Sequence, residues 1–205
     1  MKHQIVTIHG GDYAMKDFAS YLKRKKVTIE NFKPRYDWKA NLQTDIEKLG
    51  LKNKFEVISP RMPNSQNTHY NEWKIWFEKL IPFLKNDMTL IGHSLGGIFL
   101  IKYLAENIFP KRIHAVMLVA APYETKTQKG LIANNFILGE KLSGLSKQCK
   151  KLYFFHSKND AVVPFSDFKK FKAIFPDASF FIFNNRGHFN GDSFPELLEA
   201  LLESF

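Results

Sequence analysis

Residues 88–97 read MTLIGHSLGG, and this stretch decides the fold. Met88 to Gly92 is a short apolar run typical of a buried strand, and the segment from about 95 to 107 has the apolar spacing of a helix. Between them, Gly92-His93-Ser94-Leu95-Gly96 fits the G-x-S-x-G pattern of a tight strand-to-helix turn. Backbone crowding around such a serine favours glycine two residues before it and two residues after it. The pattern therefore predicts a serine hydroxyl raised above one end of a sheet.

The rest of the chain repeats this alternation of short apolar runs and amphipathic segments. Strands that alternate with helices form βαβ units, which pair in parallel and place helices on both faces of the sheet. We expect an α/β fold with a mostly parallel sheet of about six strands in three αβα layers, and a single domain over residues 1–205. Predicted strands lie at 3–9, 55–59, 88–92, 113–119, 152–156 and 178–183, and predicted helices at 12–26, 38–49, 73–84, 95–107, 166–175 and after Ser193.

Helical spacing also predicts which side chains reach the core. In the segment 12–26, Phe18 and Leu22 are expected to be buried. In the segment 73–84, an aromatic face that includes Trp76 is expected to pack on the core. Pro82 is expected to bend or end that second helix. The last helix is expected to begin with a capping box formed by Ser193 and Glu196.

Three residues that follow three different predicted strands carry the chemistry of nucleophilic catalysis. The carboxyl ends of parallel strands share one edge of the sheet, where active sites of such folds lie. The Ser94 hydroxyl needs a base to remove its proton, and His188, after the last strand, can supply one. Asp160 can orient the imidazole and stabilise its charged form. Alone, His188 also fits a surface histidine and Asp160 a turn-forming aspartate, but their joint placement favours a Ser-Asp-His triad.

The glycine pair after the first predicted strand, in His9-Gly10-Gly11, completes the candidate site. Negative charge that develops on an attacked carbonyl oxygen is stabilised by backbone N–H groups. The Leu95 N–H is one candidate donor of this oxyanion hole. The Gly11 N–H is the second, with that of Gly10 as the near alternative. The other interpretation of the glycine pair is a plain turn before a helix capped by Asp12.

On these residues the chain resembles the α/β-hydrolases, and among them the small lidless serine hydrolases of the retinoblastoma-binding-protein-9-like type. The resemblance runs from residues 9–11 through 92–96 and 160–164 to 187–189, and so spans most of the chain. It implies that the triad named above hydrolyses esters or amides. The chain departs from larger hydrolases in lacking their first two antiparallel strands. Its segment 11–45 is also longer and more basic than a minimal connection.

Small carboxylic esters are the expected substrates, with amides as the alternative. The sequence shows no large cap domain that would form a deep acyl tunnel, and residues 120–146 are long enough only for a modest flap. The loops that follow the strands are expected to line the substrate cleft. The side chains predicted there are Tyr13, Met62, Tyr123 and Phe189.

No pattern for a metal, phosphate or dinucleotide site accompanies these residues, so we expect an enzyme without a cofactor. His9, His93, His156 and His188 fall near strand ends, but the zinc-site spacing H-E-x-x-H and paired Cys/His motifs are absent from the sequence. The patterns G-x-x-x-x-G-K-[ST] and G-x-G-x-x-G are absent as well. Cys149 is the single cysteine, excludes an intrachain disulfide and fits a cytoplasmic protein.

The chain carries 30 basic and 20 acidic residues, a formal net charge of +10. Such a surplus fits a protein that binds RNA or an anionic membrane surface with strongly salt-dependent affinity. The favoured explanation is that the lysines lie on solvent-exposed faces of helices, because the basic residues are spread along the chain and no nucleic-acid motif is present. The apolar runs are too short for a membrane span or a secretory signal.

A catalytically silent binding protein on the same fold is the main alternative to an enzyme. Fold does not determine function, so a hydrolase-like sheet is compatible with a scaffold. The presence of all three triad residues argues against this alternative, since a scaffold has no need of them. The sequence does not indicate an oligomeric state.

Overall fold

All six strands that the structure describes run in the same direction. The structure, a computed structural model, describes residues 2–32, 36–123, 136–139 and 141–205. Because every neighbouring pair is parallel, the carboxyl ends of the strands meet at one edge of the sheet, the C-terminal rim. The strands are β1 (His3–Ile8), β2 (Phe55–Ile58), β3 (Met88–His93), β4 (Ile113–Val119), β5 (Cys149–Ser157) and β6 (Ser179–Phe183), in the order β2-β1-β3-β4-β5-β6.

Helices cover both faces of this sheet. They are α1 (Phe18–Arg24), α2 (Trp38–Lys48), α3 (Tyr70–Leu80), α4 (Leu95–Glu106), α5 (Phe165–Ile174) and α6 (Pro195–Leu202), with short 3-10 turns at Ile29–Phe32, Ile81–Phe83, Leu142–Gly144 and Ser146–Gln148. None of the described helices is both long and apolar enough to span a membrane.

Two hydrophobic clusters hold the helices to the sheet. Successive side chains of a strand point to opposite faces. In β4, Val116 and Leu118 join the cluster of α3, α4 and α5, whereas Ala115 and Met117 join the cluster of α2 and α6. The sheet is thus the middle of three layers, which confirms the predicted α/β fold class.

The predicted helix at 12–26 is wrong in its first part and in its burial. Helix α1 begins only at Phe18 and buries no side chain, and Leu22 is 45% exposed. Before α1, Tyr13 forms a β-bridge with Thr68 in the loop after β2, and residues 16–17 form a turn that leads into the helix. A long-range pairing replaces the first turns that local spacing predicted.

The predicted burial of Trp76 is also wrong, since this side chain is 48% exposed while Trp73 and Phe77 are fully buried. The buried stripe of α3 follows Tyr70, Trp73 and Phe77, and Trp76 lies at its edge. The helix ends at Leu80, before the 3-10 turn that contains Pro82, as expected.

The capping box predicted for the last helix does not form. The N-cap residue of α6 is Phe194, and its side chain makes no capping hydrogen bond. With Pro195 as the first helical residue, Glu196 is second rather than third in the helix, too early for the reciprocal bond of a capping box. Glu196 pairs instead with the Arg186 guanidinium.

Candidate active site

Ser94 lies on the turn between β3 and α4, in a strained backbone conformation. Its φ of 53° and ψ of −119° lie outside the regions that residues with a side chain prefer. A Cβ atom at Gly92 would lie 2.6 Å from the Gly96 carbonyl oxygen, and one at Gly96 would lie 2.2 Å from the Ile8 carbonyl oxygen. The two glycines are therefore required by close backbone contact among β1, β3 and α4.

The Ser94 hydroxyl is engaged by a histidine rather than by its own helix. Ser94 is the N-cap residue of α4, yet its side chain makes no capping hydrogen bond. The residue is partly exposed. Its Oγ lies 2.9 Å from Nε2 of His188, to which the hydroxyl donates.

His188 lies on the loop after β6, and both nitrogens of its ring are hydrogen-bonded. Nδ1 lies 2.8 Å from Oδ2 of Asp160. A carboxylate only accepts hydrogen bonds, so Nδ1 carries the proton and donates it to Asp160. Nε2 is then an acceptor, as a general base toward Ser94 must be.

Asp160 lies on the loop after β5, and its side chain is fully buried. Its Oδ1 accepts hydrogen bonds from the backbone N–H groups of Val162, at 2.8 Å, and Val163, at 3.0 Å. These two donors and the imidazole satisfy the buried carboxylate, which is thereby fixed in orientation. The structure thus brings together Ser94, His188 and Asp160 from the C-terminal ends of β3, β6 and β5.

The loops that carry Asp160 and His188 are tied to each other. Asn159 Oδ1 accepts hydrogen bonds from the Gly187 N–H, at 2.8 Å, and from the Ser157 hydroxyl, at 2.7 Å. Ser157 Oγ in turn accepts from the Arg186 N–H at 3.0 Å. Ser157 and Asn159 were not predicted as site residues, and the available signal was two polar residues at the end of β5, within three residues of Asp160.

The loop after β1 lies against the Ser94 turn, where an oxyanion would need donors. A Cβ atom at Gly10 would lie 3.2 Å from the Cβ of Ser94, and one at Gly11 would lie 3.2 Å from Cδ2 of Leu95. Leu95 is the first residue of α4, so its N–H has no acceptor within the helix. The predicted donors Gly11 and Leu95 are therefore neighbours, and Gly10 remains the alternative to Gly11.

The loop after β2 fixes this glycine loop in place. The Asp12 N–H donates to the Ser65 carbonyl at 2.8 Å, and the Thr68 N–H donates to the Asp12 carbonyl at 2.9 Å. A Cβ atom at Gly11 would lie 2.7 Å from the same Ser65 oxygen. The close approach of the two loops thus requires glycine at position 11.

His9 fastens the two loops together. Its Nε2 accepts from the Met62 N–H at 2.9 Å, and its Nδ1 lies 2.6 Å from the Gly10 carbonyl oxygen, to which it donates. This pattern requires a neutral ring. Burial lowers the pKa of His9 below its usual value, which favours the neutral form.

The four predicted cleft residues are placed in different surroundings. Tyr13 and Met62 lie in the two paired loops near Gly11, but both are almost fully buried. Tyr123 is half-buried, and its ring centroid lies 5.3 Å from that of Phe171. The structure places Phe189 in the core instead of a cleft, because its ring packs among aromatic side chains on the α2 and α6 face.

Other features of the described residues lie apart from Ser94. An apolar groove of about 620 Å³ between α2 and α6 is lined by Trp38, Phe194 and Leu198, on the face opposite α4. Within the described ranges, no group of three or more His, Cys, Asp or Glu side chains is arranged to hold a metal ion. Burial raises the pKa of the Cys149 thiol to about 12, so this cysteine is protonated and unreactive at neutral pH.

Residues 33–203, well over half of the chain, match the model of a family described as serine hydrolase. No match is found among curated protein sequences.

The fold is similar to that of several solved structures. The ydeN gene product of B. subtilis is 20% identical with a TM-score of 0.78, over 100% of this chain and 99% of that chain. A carboxylesterase of the thaumarchaeon Nitrososphaera gargenis is 16% identical with a TM-score of 0.63, over 98% and 89%. The carboxylesterase CesB of B. subtilis is 12% identical with a TM-score of 0.57, over 100% and 83%. At these identities the similarity establishes the fold.

Proposed function

Because this chain belongs to the serine hydrolase family, we propose that it cleaves small carboxylic esters through an acyl-enzyme, with Ser94, His188 and Asp160 as the catalytic triad. The observation that carries this proposal is the unbroken hydrogen-bond chain from Ser94 Oγ through His188 to the buried Asp160 carboxylate. A hydroxyl, an imidazole and a carboxylate in that order are the parts that acyl transfer to serine requires.

In the first half of the reaction, Ser94 Oγ attacks the ester carbonyl carbon while His188 Nε2 takes the hydroxyl proton. The carbonyl oxygen becomes an oxyanion, held by the N–H groups of Leu95 and Gly11. The bond between the carbonyl carbon and the alkoxy oxygen of the ester then breaks. His188 gives its proton to that oxygen, and the alcohol leaves. Asp160 stabilises the imidazolium while it exists.

In the second half, His188 removes a proton from a water molecule that attacks the acyl-enzyme carbonyl. The same two N–H groups hold the second oxyanion. The bond to Ser94 Oγ breaks, the proton returns to that oxygen, and the carboxylic acid leaves. Water is thus consumed and the enzyme is regenerated.

The preference for small esters is supported by the length of the connection between β4 and β5. Nearly half of the 205 residues form the six strands and the six α-helices, and the others form the connections between them. The stretch 120–146 between β4 and β5 is long enough only for a modest flap. Residues 124–135 and 140 of this stretch lie outside the described ranges.

A fluorophosphonate probe, which reacts only with an activated serine, tests the triad. We expect the wild type to be labelled and Ser94→Ala to be unlabelled. Ser146→Ala is the matched control, because Ser146 is exposed and precedes the start of β5, at the opposite edge of the sheet. Equal labelling of wild type and Ser94→Ala would reject Ser94 as the nucleophile.

A panel of nitrophenyl esters with increasing acyl length tests the substrate class. We expect kcat/KM to be highest for the shortest acyl chains and to fall as the chain lengthens. A wild-type protein that is folded but inert toward the probe and every ester would favour the silent binding protein.

A further inference from the structure

The first turn of α2 holds the loop that carries His188. The Trp38 backbone N–H donates to the Gly191 carbonyl at 3.0 Å, and its indole Nε1 donates to the Phe189 carbonyl at 2.9 Å. Asn41 Nδ2 donates to the Asp192 carbonyl at 2.9 Å. Three carbonyls of the loop are thus bound by side chains or backbone of one helical turn.

The carbonyl of His188 itself is held by the same turn through an intermediary. His93 Nε2 lies 2.9 Å from the His188 carbonyl oxygen, and Lys39 Nζ lies 3.3 Å from His93 Nδ1. An ammonium only donates hydrogen bonds, so His93 Nδ1 must accept and its proton must be on Nε2. Lys39 therefore donates to His93, and His93 donates to the backbone carbonyl of His188.

Lys39 is in an unusual place for a lysine on a surface helix. It is only 8% exposed, and it shares the buried stripe of α2 with Trp38, Leu42 and Ile46. Lysine is almost never buried unless its charge is paired. Asp37, the N-cap residue of α2, lies 2.6 Å from Lys39 Nζ and provides that pairing.

His93 lies between Lys39 and the His188 carbonyl as a neutral ring. Burial, followed by the charge of Lys39, lowers the pKa of His93 well below its usual value. The groups that face it are Lys39 from α2, His188 from the loop after β6 and His9 from the loop after β1. A protonated His93 would have no lone pair for Lys39, so the observed contact requires the neutral ring.

We propose that Lys39 and His93 form a positioning relay, in which the Lys39 ammonium, together with the His188 carbonyl, holds the His93 ring as the Nε2–H tautomer so that His93 fixes the His188 loop for catalysis. The relay rests on the proposed role of His188 as the general base. It acts only on the backbone of His188, so both residues are positioning residues without contact to the substrate. Misplacement of a catalytic group by about 1 Å lowers the rate on the order of 100-fold.

Lys39→Met tests the relay, since methionine keeps much of the length and apolar character of the side chain and removes the charge. We expect kcat for a nitrophenyl ester to fall by about tenfold to 100-fold, with KM changed by less than about twofold. Lys48→Met, in the last turn of the same helix and largely exposed, is the matched control and should retain wild-type kcat. Equal kcat in the two variants would overturn the proposal.

The Nδ1 nitrogen of His93 provides a measurement that reports on the Lys39 contact and not on folding. Long-range proton–nitrogen NMR of ¹⁵N-histidine protein should show His93 as the Nε2–H tautomer in the wild type, with Nδ1 as a hydrogen-bond acceptor. In Lys39→Met the His188 carbonyl still favours Nε2–H, but Nδ1 loses its donor, so the ¹⁵N signal of Nδ1 should shift toward that of a ring nitrogen without a hydrogen bond. An unchanged Nδ1 signal in Lys39→Met would contradict the relay. This arm remains decisive if the wild type proves inert toward esters, a result that would sink only the proposed function.

Substitution of His93 covers the case in which Lys39→Met does not fold. The glutamine amide of His93→Gln can accept from Lys39 and donate to the His188 carbonyl, so we expect kcat within about threefold of wild type. His93→Phe keeps an aromatic ring and loses the hydrogen bonds with Lys39 and the His188 carbonyl, and its kcat should fall by at least about tenfold. Equal kcat in His93→Gln and His93→Phe would also overturn the proposal.

Discussion

Gly96→Ala should damage both the stability and the chemistry of this protein, because its side chain has no space. A Cβ atom at position 96 would lie 2.2 Å from the Ile8 carbonyl oxygen and 2.7 Å from that of His9. Carbon–oxygen contacts normally begin at about 3.3 Å. Both oxygens belong to the backbone and cannot rotate away, so the end of β1 would have to retreat by about 1 Å.

The size of the effect follows from that displacement. Overpacking a tight core usually costs about 1–3 kcal/mol, and a backbone-to-backbone contact belongs at the upper end, about 3 kcal/mol. For a chain of this size each kcal/mol lowers Tm by about 2–4 °C, so Tm should fall by about 6–12 °C. The retreat also moves Gly11 away from Ser94, and loss of one oxyanion donor lowers kcat by about 100-fold to 1,000-fold.

Thermal unfolding followed by tryptophan fluorescence measures the first effect, and hydrolysis of a short nitrophenyl ester measures the second. Gly139→Ala is the control, because a Cβ atom there has no heavy atom within 4 Å. It should leave Tm and kcat as they are in the wild type. A Gly96→Ala protein that melts within about 2 °C of Gly139→Ala and turns over ester at the same rate would show that the Cβ atom is accommodated without the expected displacement.

Two further substitutions test the charge on Asp160 and the ionisation of His3. In Asp160→Asn the amide oxygen can still accept from the Val162 and Val163 N–H groups, so the free energy of unfolding should change little. The value of kcat should fall by about 10⁴-fold, because the imidazole loses its orienting anion. Retention of about a tenth of wild-type kcat would contradict this role of Asp160. Burial, followed by the nearby His114, lowers the pKa of His3 from 6.5 to about 4, so protonation opposes folding and the unfolding free energy should decline as pH falls through that window. Urea unfolding at a series of pH values should show a shallower decline of the unfolding free energy for His3→Gln than for the wild type. The same dependence on pH in both proteins would contradict a lowered pKa of His3.

The parts of the fold that short-range sterics control were predictable from the sequence. The turn at Ser94 needs glycine at both flanks because backbone atoms touch there, and that requirement is visible in five consecutive residues. Parallel strands place their carboxyl ends together, so residues that follow strands could be expected to converge. The structure places Ser94, His188 and Asp160 within hydrogen-bond distance in this way.

Features that depend on distant partners could not be predicted in the same way. Tyr13 forms a β-bridge with Thr68 instead of a helical turn, and Glu196 forms an ion pair with Arg186 instead of a capping hydrogen bond. Thr68 belongs to the loop after β2 and Arg186 to the loop after β6, so neither partner is part of the helix whose local spacing was used for the prediction. Lys39 offered a weak local signal, since it is a lysine on the apolar stripe of α2, but its partner His93 becomes apparent only in the folded chain.

The shared direction of the strands gives the molecule two unlike ends, and this matters for anyone who wishes to label it. The connections that precede β2, β3, β4 and β6 gather at the end away from Ser94, where Lys52, Asn53 and Asp177 are exposed. A reporter peptide or affinity handle grafted between Lys52 and Asn53 would stand a full strand length from the reacting atoms. That end can be engineered for immobilisation while the opposite one keeps its chemistry.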